Sequence, residues 1–345
     1  MIEAIRDLIA RRYRRDEYPA LADLMERWER EKPFSGVSVL DATPVFTNTL
    51  VKYCALLAGG AKLSIGVGEL TPYDPEVIAF LKRLDVPVVS PADCGSFDVI
   101  LDCAANFAVV PSRCGYVELT RSGVYRYRQM SVPVFFADSG RIKRIETTLG
   151  TGEGCLRALR HLNIPVRDRR ALVFGGGKVG LGIAAYLARD GARVSVVDMR
   201  RDLQLPAGVT PVDGANAATV AAEIGAAELI VSATGIAGAL AQYAEAFRAC
   251  RAVIANMGVE DEYGPDVPAE RVLNNKRPLN FILDEPTHLK YIDPTMALSN
   301  AGALELLLGR VGNGINPPDA AMENGILEIV RRDGCIAEEL NMLEE

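Results

Sequence analysis

The stretch Ala171–Asp198, ALVFGGGKVGLGIAAYLARDGARVSVVD, joins an apolar run, a glycine-rich turn and a helical pattern. The apolar run predicts a strand that leads into Gly175, which permits a tight turn. Gly177 lets the backbone approach a pyrophosphate, and Gly180 lets the next helix lie close to the sheet. The free N–H groups and the dipole at that helix N-terminus favour phosphate binding. The pattern therefore predicts a Rossmann NAD-binding domain.

Further cofactor contacts are expected where the following strands end. Asp198 lies 18 residues after Gly180, where a carboxylate accepts hydrogen bonds from both ribose hydroxyls and repels a 2′-phosphate. NAD is therefore expected as the cofactor rather than NADP, although Arg200 and Arg201 follow directly and leave NADP open. Ligands of doubly wound sheets bind at the carboxyl ends of the strands. The other predicted cofactor contacts are Lys178, Val179, Thr234, Gly235, Ile236, Asn256, Met257 and Gly258.

The length of 345 residues predicts two domains. Short apolar runs alternate with helical stretches, which is typical of an α/β fold with parallel sheets. We expect two doubly wound parallel-sheet domains joined by hinge helices at Thr147–Ile164 and Pro294–Leu308. The predicted strands are Ser38–Thr43, Lys62–Val67, Pro87–Ser90, Asp98–Cys103, Val132–Phe136, Ala171–Gly175, Arg193–Asp198, Leu229–Thr234, Ala252–Met257 and Asn280–Leu283.

These elements divide the chain into three predicted segments. Residues 1–146 form a flavodoxin-like substrate domain, residues 147–292 form the Rossmann NAD-binding domain, and residues 293–345 are C-terminal helices that return to the first domain. The first 35 residues are expected to be helices that cover the first sheet.

Composition excludes several classes of protein. Hydrophobic residues at 49% and charged residues at 24% are those of a folded globular chain. The net charge of −7 argues against nucleic acid as a partner. The chain starts without the apolar region of a signal peptide and has no run long enough to span a membrane, so a cytoplasmic location is expected. Seven cysteines without a C-x-x-C pair predict reduced thiols and no metal site.

Several motifs resemble those of the S-adenosyl-L-homocysteine hydrolases in order and spacing. The best matches are GGGKVGLGIAAYLARDGARVSVVD, VSATGIAG, ANMG and DPTMALSNA. Weaker similarity covers LDATPVFTNT, DVILDC, ELTRSGVY and VPVFFADSGRIK. Together these motifs span most of Val37–Asn300.

The resemblance implies a tightly held NAD that oxidises a ribose 3′-hydroxyl, after which a 5′-thiol is eliminated, water adds and the cofactor is restored. Lys143 matches the lysine that helps deprotonate the hydroxyl, and Thr43 matches a threonine that contacts substrate. Within the matched motifs, the resemblance also implies Asp138 as a substrate contact, with Ser122 and Thr148 as cofactor contacts.

The remaining acid–base positions differ from those of the family. Asp41 and Asp293 stand where the family has histidines; each is a candidate proton carrier if burial raises its pKa, or alternatively a helix cap. Glu118 lies beside a family glutamate position and is either a displaced acid or a strand-end residue. Thr147 is a candidate for catalysis or capping. Cys103 is a candidate substrate contact, and a core role is favoured over a nucleophilic one because no histidine is nearby in the sequence.

The leading hypothesis is an NAD-dependent enzyme that oxidises a secondary hydroxyl of a small polar substrate in the interdomain cleft, a nucleoside being one candidate. Because the acid–base set is altered, we expect a substrate or a cycle other than hydrolysis of S-adenosylhomocysteine. One alternative is an NAD-dependent dehydrogenase or reductase of a hydroxy acid or amino-acid derivative, and another is a non-catalytic NAD-binding regulator. The resemblance implies a homo-oligomer, either a dimer or a tetramer.

Overall fold

A computed structural model describes residues 1–69 and 71–343. The chain divides into two compact units, which we call unit 1 (Met1–Ile145 with Leu289–Glu345) and unit 2 (Glu146–His288). The predicted segment boundaries lie one to four residues from these limits. Within the described residues, no helix is both long enough and apolar enough to cross a membrane.

Unit 1 is built around a seven-stranded sheet in which all paired strands are parallel. Its strands are β1 (Ser38–Asp41), β2 (Lys62–Gly66), β3 (Val88–Val89), β4 (Phe97–Asp102), β5 (Ser112–Glu118), β6 (Pro133–Phe136) and β12 (Gly314–Asn316). The order across the sheet is β12-β6-β5-β4-β1-β2-β3. This is the 3-2-1-4-5-6 order of dinucleotide-binding folds with one strand added, whereas a flavodoxin-like sheet has the order 2-1-3-4-5. The flavodoxin-like prediction is therefore wrong, because β2 lies between β1 and β3.

The helices of unit 1 cover its sheet. They are α1 (Ile2–Arg12), α2 (Pro19–Glu31), α3 (Thr49–Ala58), α4 (Pro75–Arg83), α5 (Arg121–Tyr127), α6 (Ile142–Arg144), α11 (Leu289–Leu307), α12 (Ala320–Asp333) and α13 (Ala337–Leu340). Several start at capping residues: the Asp74 carboxylate accepts from the Glu76 amide at α4, and the Asp319 carboxylate accepts from the Met322 amide at α12. The chain's single tryptophan, Trp28 of α2, is fully buried in this unit.

Unit 2 has a five-stranded parallel sheet of order β11-β10-β7-β8-β9. Its strands are β7 (Arg170–Phe174), β8 (Arg193–Asp198), β9 (Thr210–Asp213), β10 (Leu229–Ser232) and β11 (Val253–Asn256). Its helices are α7 (Thr151–His161), α8 (Lys178–Arg189), α9 (Ala217–Ala226) and α10 (Ala244–Ala249). The prediction of two doubly wound parallel-sheet units, the second of Rossmann type, is confirmed.

Three details differ from the sequence prediction. Asn280–Leu283 is not a strand, because Leu279–Ile282 forms a 3-10 turn, and the side-chain amide of Asn280 donates to the Pro286 carbonyl at 3.2 Å. The predicted helix Pro294–Leu308 corresponds to α11, which starts earlier, at Leu289, and runs through Pro294, a residue that removes one backbone donor from the helix interior. The predicted helix Thr147–Ile164 begins as a π-helical segment, Ile145–Gly150, before α7.

Asp293 caps α2, a helix of a distant part of the chain, rather than the helix in which it lies. It is fully buried within α11, and its carboxylate accepts from the Leu21 amide at 2.9 Å and from the Ala20 amide at 3.0 Å. It therefore caps the N-terminus of α2 across 272 residues of sequence. Burial raises the pKa of Asp293 to about 7, although these two amides act in the opposite direction. This geometry favours the capping alternative over the proton carrier.

We predict that Asp293 makes unit 1 less stable as pH rises from about 4 to 7. In that window the folded state retains a proton that the unfolded chain has released, so the free energy of unfolding falls with rising pH. In Asp293→Asn the fall should be shallower, by at most about 1.4 kcal/mol per pH unit. Denaturant unfolding across this pH range, followed by Trp28 fluorescence, measures the free energy of unfolding of each variant.

Asp198→Asn is the control. Asp198 belongs to unit 2 and the pKa of its carboxyl is about 2, so this variant should leave the pH dependence of the Trp28 transition unchanged over the same window. Identical slopes for the wild type and Asp293→Asn would contradict the prediction.

Candidate functional site

The glycine-rich turn of unit 2 is shaped by backbone contacts that exclude side chains. Gly175 follows β7 with φ +98°, and a Cβ there would lie 2.4 Å from the Ala233 carbonyl oxygen. A Cβ on Gly180 would lie 1.8 Å from the Gly175 carbonyl oxygen. Both positions therefore need glycine, and together they bring α8 against the end of β7.

Gly177 has a different environment from its neighbours. It is the exposed N-cap of α8, and a Cβ built on it would meet no atom within 4 Å. Lys178 and Val179 form the first turn of α8, whose amides have no helical acceptors. This open helix N-terminus fits the pyrophosphate of a dinucleotide, since nothing of the unit itself fills the space.

Thr148 lies close to the same helix. Its carbonyl oxygen would be 1.9 Å from a Cβ on Gly182 of α8, so the π-helical segment and α8 touch through backbone. Its hydroxyl is buried and has no hydrogen-bond partner among the described residues. A buried hydroxyl without a partner is costly unless a ligand or water satisfies it, which is consistent with the predicted cofactor contact. Thr147, half-buried in the same segment, is also placed in unit 2.

Asp198 ends β8 beside the glycine turn. Its carboxylate accepts from the Gly176 amide at 2.6 Å and from the Arg200 amide at 2.9 Å. The Arg200 guanidinium also donates to it, at 3.0 Å from Nε. Burial acts to raise the pKa of Asp198, but the Arg200 and Gly176 donors outweigh it and lower the pKa to about 2. The carboxylate is therefore ionised and positioned to accept from ribose hydroxyls.

The ends of β10 and β11 are held by a residue that the sequence analysis missed. Glu262 is fully buried and accepts from the Thr234 amide at 2.9 Å and from the Gly235 amide at 2.6 Å. A Cβ on Gly258 would lie 2.0 Å from a carboxylate oxygen of Glu262, so a side chain there would displace the Glu262 carboxylate. Ile236, next in the loop, is 62% exposed.

Asn256 has a structural role in the same loop. Its side-chain oxygen accepts from the Ser232 hydroxyl and the Gly258 amide, and its amide donates to three carbonyls, the closest being that of Lys276 at 2.6 Å. Both polar atoms of the side chain are thus used within the protein. Met257 is 6% exposed. Asn256 and Met257 therefore shape this edge of the sheet rather than present free side chains to a cofactor.

Exposed apolar side chains follow three of the unit 2 strands. Met199 follows β8, Ile236 follows β10 and Val259 follows β11, with 70%, 62% and 87% exposure respectively. All three lie at the carboxyl edge of the sheet, where flat aromatic rings of a dinucleotide need apolar contact. The residues present therefore fit an NAD-type cofactor at its phosphates, its ribose and its rings.

In unit 1, three acidic residues end neighbouring strands. Asp41 ends β1, Asp102 ends β4 and Glu118 ends β5, and all three are fully buried. β1 and β4 are adjacent at the point where the strand order reverses, which is where doubly wound sheets bind ligands. The candidate site of unit 1 therefore lies at this edge.

Asp41 is paired with Lys52 of α3, which the sequence analysis did not single out. The Lys52 Nζ lies 2.5 Å from one Asp41 oxygen, and both side chains are at most 1% exposed. The Thr43 hydroxyl donates to the other Asp41 oxygen at 2.6 Å and accepts from Lys52 at 3.2 Å. Burial lowers the pKa of Lys52, and Asp41 opposes that shift. The geometry thus gives Asp41 an ammonium partner and uses the Thr43 hydroxyl as donor to Asp41 and acceptor from Lys52, which leaves that oxygen one lone pair.

Glu118 holds a strained loop. Its carboxylate accepts from the amides of Ala104, Ala105 and Thr120 and from the Thr120 hydroxyl, at 2.6 to 3.1 Å. Ala104 and Ala105 have φ of +58° and +53°, a conformation that L-residues rarely adopt. Burial raises the pKa of Glu118. With four donors on its oxygens, Glu118 fits the strand-end alternative rather than the displaced acid.

Asp102 also accepts hydrogen bonds from backbone amides of the loop that follows β4. It accepts from the Cys103 and Phe107 amides and from the Tyr127 hydroxyl at 2.6 Å. Burial, together with the nearby Glu118, raises the pKa of Asp102 to about 7. Cys103 therefore follows a rigid strand end and is 8% exposed.

Lys143 lies at the carboxyl edge of the same sheet. Its side chain is 7% exposed, its Nζ is 3.5 Å from the Asp138 carboxylate, and it donates to the Leu119 carbonyl at 3.4 Å. Asp138 follows β6 and Leu119 follows β5, so the lysine bridges two strand ends. Ser122, by contrast, is exposed on α5, where its hydroxyl lies 3.3 Å from that of Thr120.

Comparison with known families supports the cofactor site. A family model described as putative NAD(P)-binding matches residues 162–263, which contain the glycine turn, Asp198 and the β10 loop. The prediction of NAD as the cofactor is thereby confirmed. When the cofactor is bound, Gly177, the first turn of α8 and Asp198 are the residues that would hold it.

Individual relatives extend the similarity to both units. The adenosylhomocysteinase of Thermoplasma acidophilum is 26% identical over 277 residues, 71% of this chain and 67% of that protein. The S-inosyl-L-homocysteine hydrolase of Methanosarcina acetivorans is 27% identical over 278 residues, 71% of this chain and 66% of that protein. The matches thus span about two thirds of these relatives. The resemblance to adenosylhomocysteinases is confirmed, and the chain is similar to NAD-dependent enzymes.

A solved structure shows the fold. A dipicolinate synthase chain from Bacillus halodurans superposes with a TM-score of 0.53 at 15% identity, covering 79% of this chain and 98% of that one. At this identity the likeness speaks for the arrangement of strands and helices alone.

We predict that Gly177→Ala weakens NAD binding by about tenfold or more without unfolding unit 2, because its φ of −78° suits alanine and the new Cβ meets only the space for the pyrophosphate. Isothermal titration calorimetry with NAD, carried out on protein from which the retained cofactor has been removed, measures the change. Gly225→Ala is the matched control, since Gly225 of α9 is also without neighbours within 4 Å. Equal affinities for the two variants would contradict the assignment.

We predict that Lys52→Met destabilises unit 1 by about 3–5 kcal/mol, because it leaves the Asp41 carboxylate buried without an ammonium. The double variant with Asp41→Asn should lose much less than the sum of the single losses. Denaturant unfolding followed by Trp28 fluorescence gives these values. Lys62→Met, at an exposed lysine of β2, is the control. Additive losses would show that the two groups do not interact.

Proposed function

We propose that this protein is an NAD-dependent enzyme that oxidises a secondary hydroxyl of a small polar, nucleoside-like substrate, with Lys143 as the group that accepts the hydroxyl proton. The observation that carries the proposal is the buried amine of Lys143 at the carboxyl edge of the unit 1 sheet, 3.5 Å from Asp138. A lysine in such surroundings is suited to proton transfer once it is unprotonated.

NAD, when bound, supplies the hydride acceptor. The residues of unit 1 then have separate tasks. The Leu119 carbonyl and the Asp138 carboxylate orient the Lys143 amine, whose lone pair takes the proton from the substrate hydroxyl. Thr43 offers an oxygen that already donates its own proton to Asp41, so it favours a substrate group that donates a hydrogen bond.

The acidic residues support this division of tasks. Asp41 is paired with Lys52, and Asp102 and Glu118 accept from backbone amides. None of the three is exposed. They define the shape of the substrate edge, which leaves Lys143 as the favoured proton carrier of unit 1.

The substrate class rests on the relatives. The two matched enzymes are named for S-adenosyl and S-inosyl forms of homocysteine, which share a nucleoside thioether. A nucleoside with a ribose-like secondary hydroxyl is therefore the first substrate to test. The altered residues at Asp41, Thr147 and Asp293 favour a cycle that differs from that of the relatives. A cytoplasmic location and a homo-oligomeric state stay predictions.

We predict that the purified protein retains NAD, and that adding adenosine, inosine or their homocysteine thioethers raises the absorbance of reduced nicotinamide. Lys143→Met should retain NAD and lose this reduction by about 100-fold or more, because the proton acceptor is removed. The NAD and NADH released on denaturation and the nicotinamide absorbance are the two readouts.

Arg144→Met is the matched control, since Arg144 is the exposed neighbour of Lys143 on α6. Its reduction rate should equal that of the wild type. Turnover of a hydroxy acid with release of NADH would instead support the dehydrogenase alternative. Retained NAD that no hydroxyl compound reduces would overturn the proposal in favour of a regulator.

A further inference from the structure

The turn that carries Lys143 is docked onto a helix from the far end of the chain. Glu323 of α12 is 6% exposed, and its carboxylate accepts from the Ile142 amide at 2.9 Å. Ile142 is the first residue of α6 and immediately precedes Lys143. The Glu323 carboxylate therefore fixes the backbone directly before Lys143.

The turn is shaped to receive this carboxylate. Gly140 has φ +92°, and a Cβ there would lie 2.4 to 2.6 Å from the Glu323 carboxyl atoms. A side chain at that position would push Glu323 away, so the glycine permits the close approach. Next to it, the Arg141 guanidinium donates to the Asn324 side-chain oxygen. Glu323 and Asn324, which are consecutive residues of α12, thus accept hydrogen bonds from the Ile142 amide and the Arg141 side chain of the turn.

The strand before this turn is braced by the same region. β12 pairs with β6 in register from Gly314 opposite Pro133 to Asn316 opposite Phe135. The chain from Gly314 to Asp333 therefore supports both β6 and the turn that follows it. Asp138, at 3.5 Å from the Lys143 Nζ, lies between these two supports.

From these contacts we infer that Glu323 is a positioning residue for Lys143: it fixes the Gly140–Ile142 backbone so that the amine stays at the carboxyl edge between β5 and β6. The inference deepens the proposed function and rests on it for the catalytic consequence. The structural part stands on the Glu323 contacts alone and is measurable without activity.

Limited labelling with an amine-selective N-hydroxysuccinimide ester, followed by peptide mass spectrometry, tests the structural part. In Glu323→Ala, Lys143 should be labelled about tenfold faster than in the wild type, because the turn opens locally more often. Glu323→Gln retains an oxygen that can accept from Ile142 and should label nearly as slowly as the wild type. Glu328→Ala, at an exposed position of α12, is the matched control.

Lys52 is the internal standard for folding, since it is 1% exposed in the same unit. Faster labelling of Lys143 with Lys52 still protected supports the inference. Unchanged labelling of Lys143 in Glu323→Ala, equal effects of the Ala and Gln variants, or simultaneous labelling of Lys52 would each overturn it. Gly140→Ala approaches the same contact from the other side and should reproduce the Glu323→Ala pattern.

The effect of Glu323 on catalysis is measured as the rate of hydride transfer with adenosine or inosine. Glu323→Ala should lower kcat by about 100-fold with little change in KM or in bound NAD, because small displacements of a reacting group are costly. Glu323→Gln should restore most of the rate. If the wild type shows no hydride transfer, the proposed function fails, whereas the labelling result still decides the positioning role.

Discussion

Hydrogen bonds from backbone amides to buried carboxylates hold the loops on which both candidate sites depend. Glu118 and Asp102 accept hydrogen bonds from the loop after β4, and Glu262 accepts them from the loop after β10. Asp293 caps α2 in the same way. Glu323 does the same for the turn that precedes Lys143. Because each of these buried carboxyl groups has its oxygens bonded to backbone amides, the bonds fix the backbone geometry around it. Each site is therefore built on acids whose own oxygens are already in use.

This arrangement also explains where the backbone is strained. Ala104 and Ala105 both have positive φ, which costs about 1–2 kcal/mol per residue for an L-amino acid. The conformation points both amides at Glu118, so the carboxylate bonds offset the strain. Without Glu118 the Ala104 and Ala105 amides would have no carboxylate to offset their strained conformation. The loop after β4 would then relax, and Cys103 would move with it. The acid at the end of β5 is thus a determinant of geometry at the end of β4.

The sequence predicted the features that depend on nearby residues. The strand–turn–helix–strand unit follows from the pattern within Ala171–Asp198, and the structure confirms it as β7, α8 and β8. β5, β9 and β12 were missed because they are short or carry few apolar residues, so that sheet pairing rather than local pattern determines them. Contacts across long separations were also missed. Glu323 lies 181 residues from Ile142, and no local pattern marks such a pair.

The two buried lysines of unit 1 show why the same residue type serves different purposes. Lys52 is 2.5 Å from Asp41 and also donates to Thr43, so its ammonium is held by a carboxylate that has no exposure. Lys143 is 3.5 Å from Asp138, whose side chain is 20% exposed. The two lysines thus differ in their surroundings, because Lys52 lies in a closed ion pair, whereas Lys143 bridges the ends of β5 and β6 at the carboxyl edge of the sheet. Position is therefore what suits Lys143 to the proposed role, since its amine lies at the strand ends, where doubly wound sheets bind their ligands, whereas Lys52 is enclosed with Asp41.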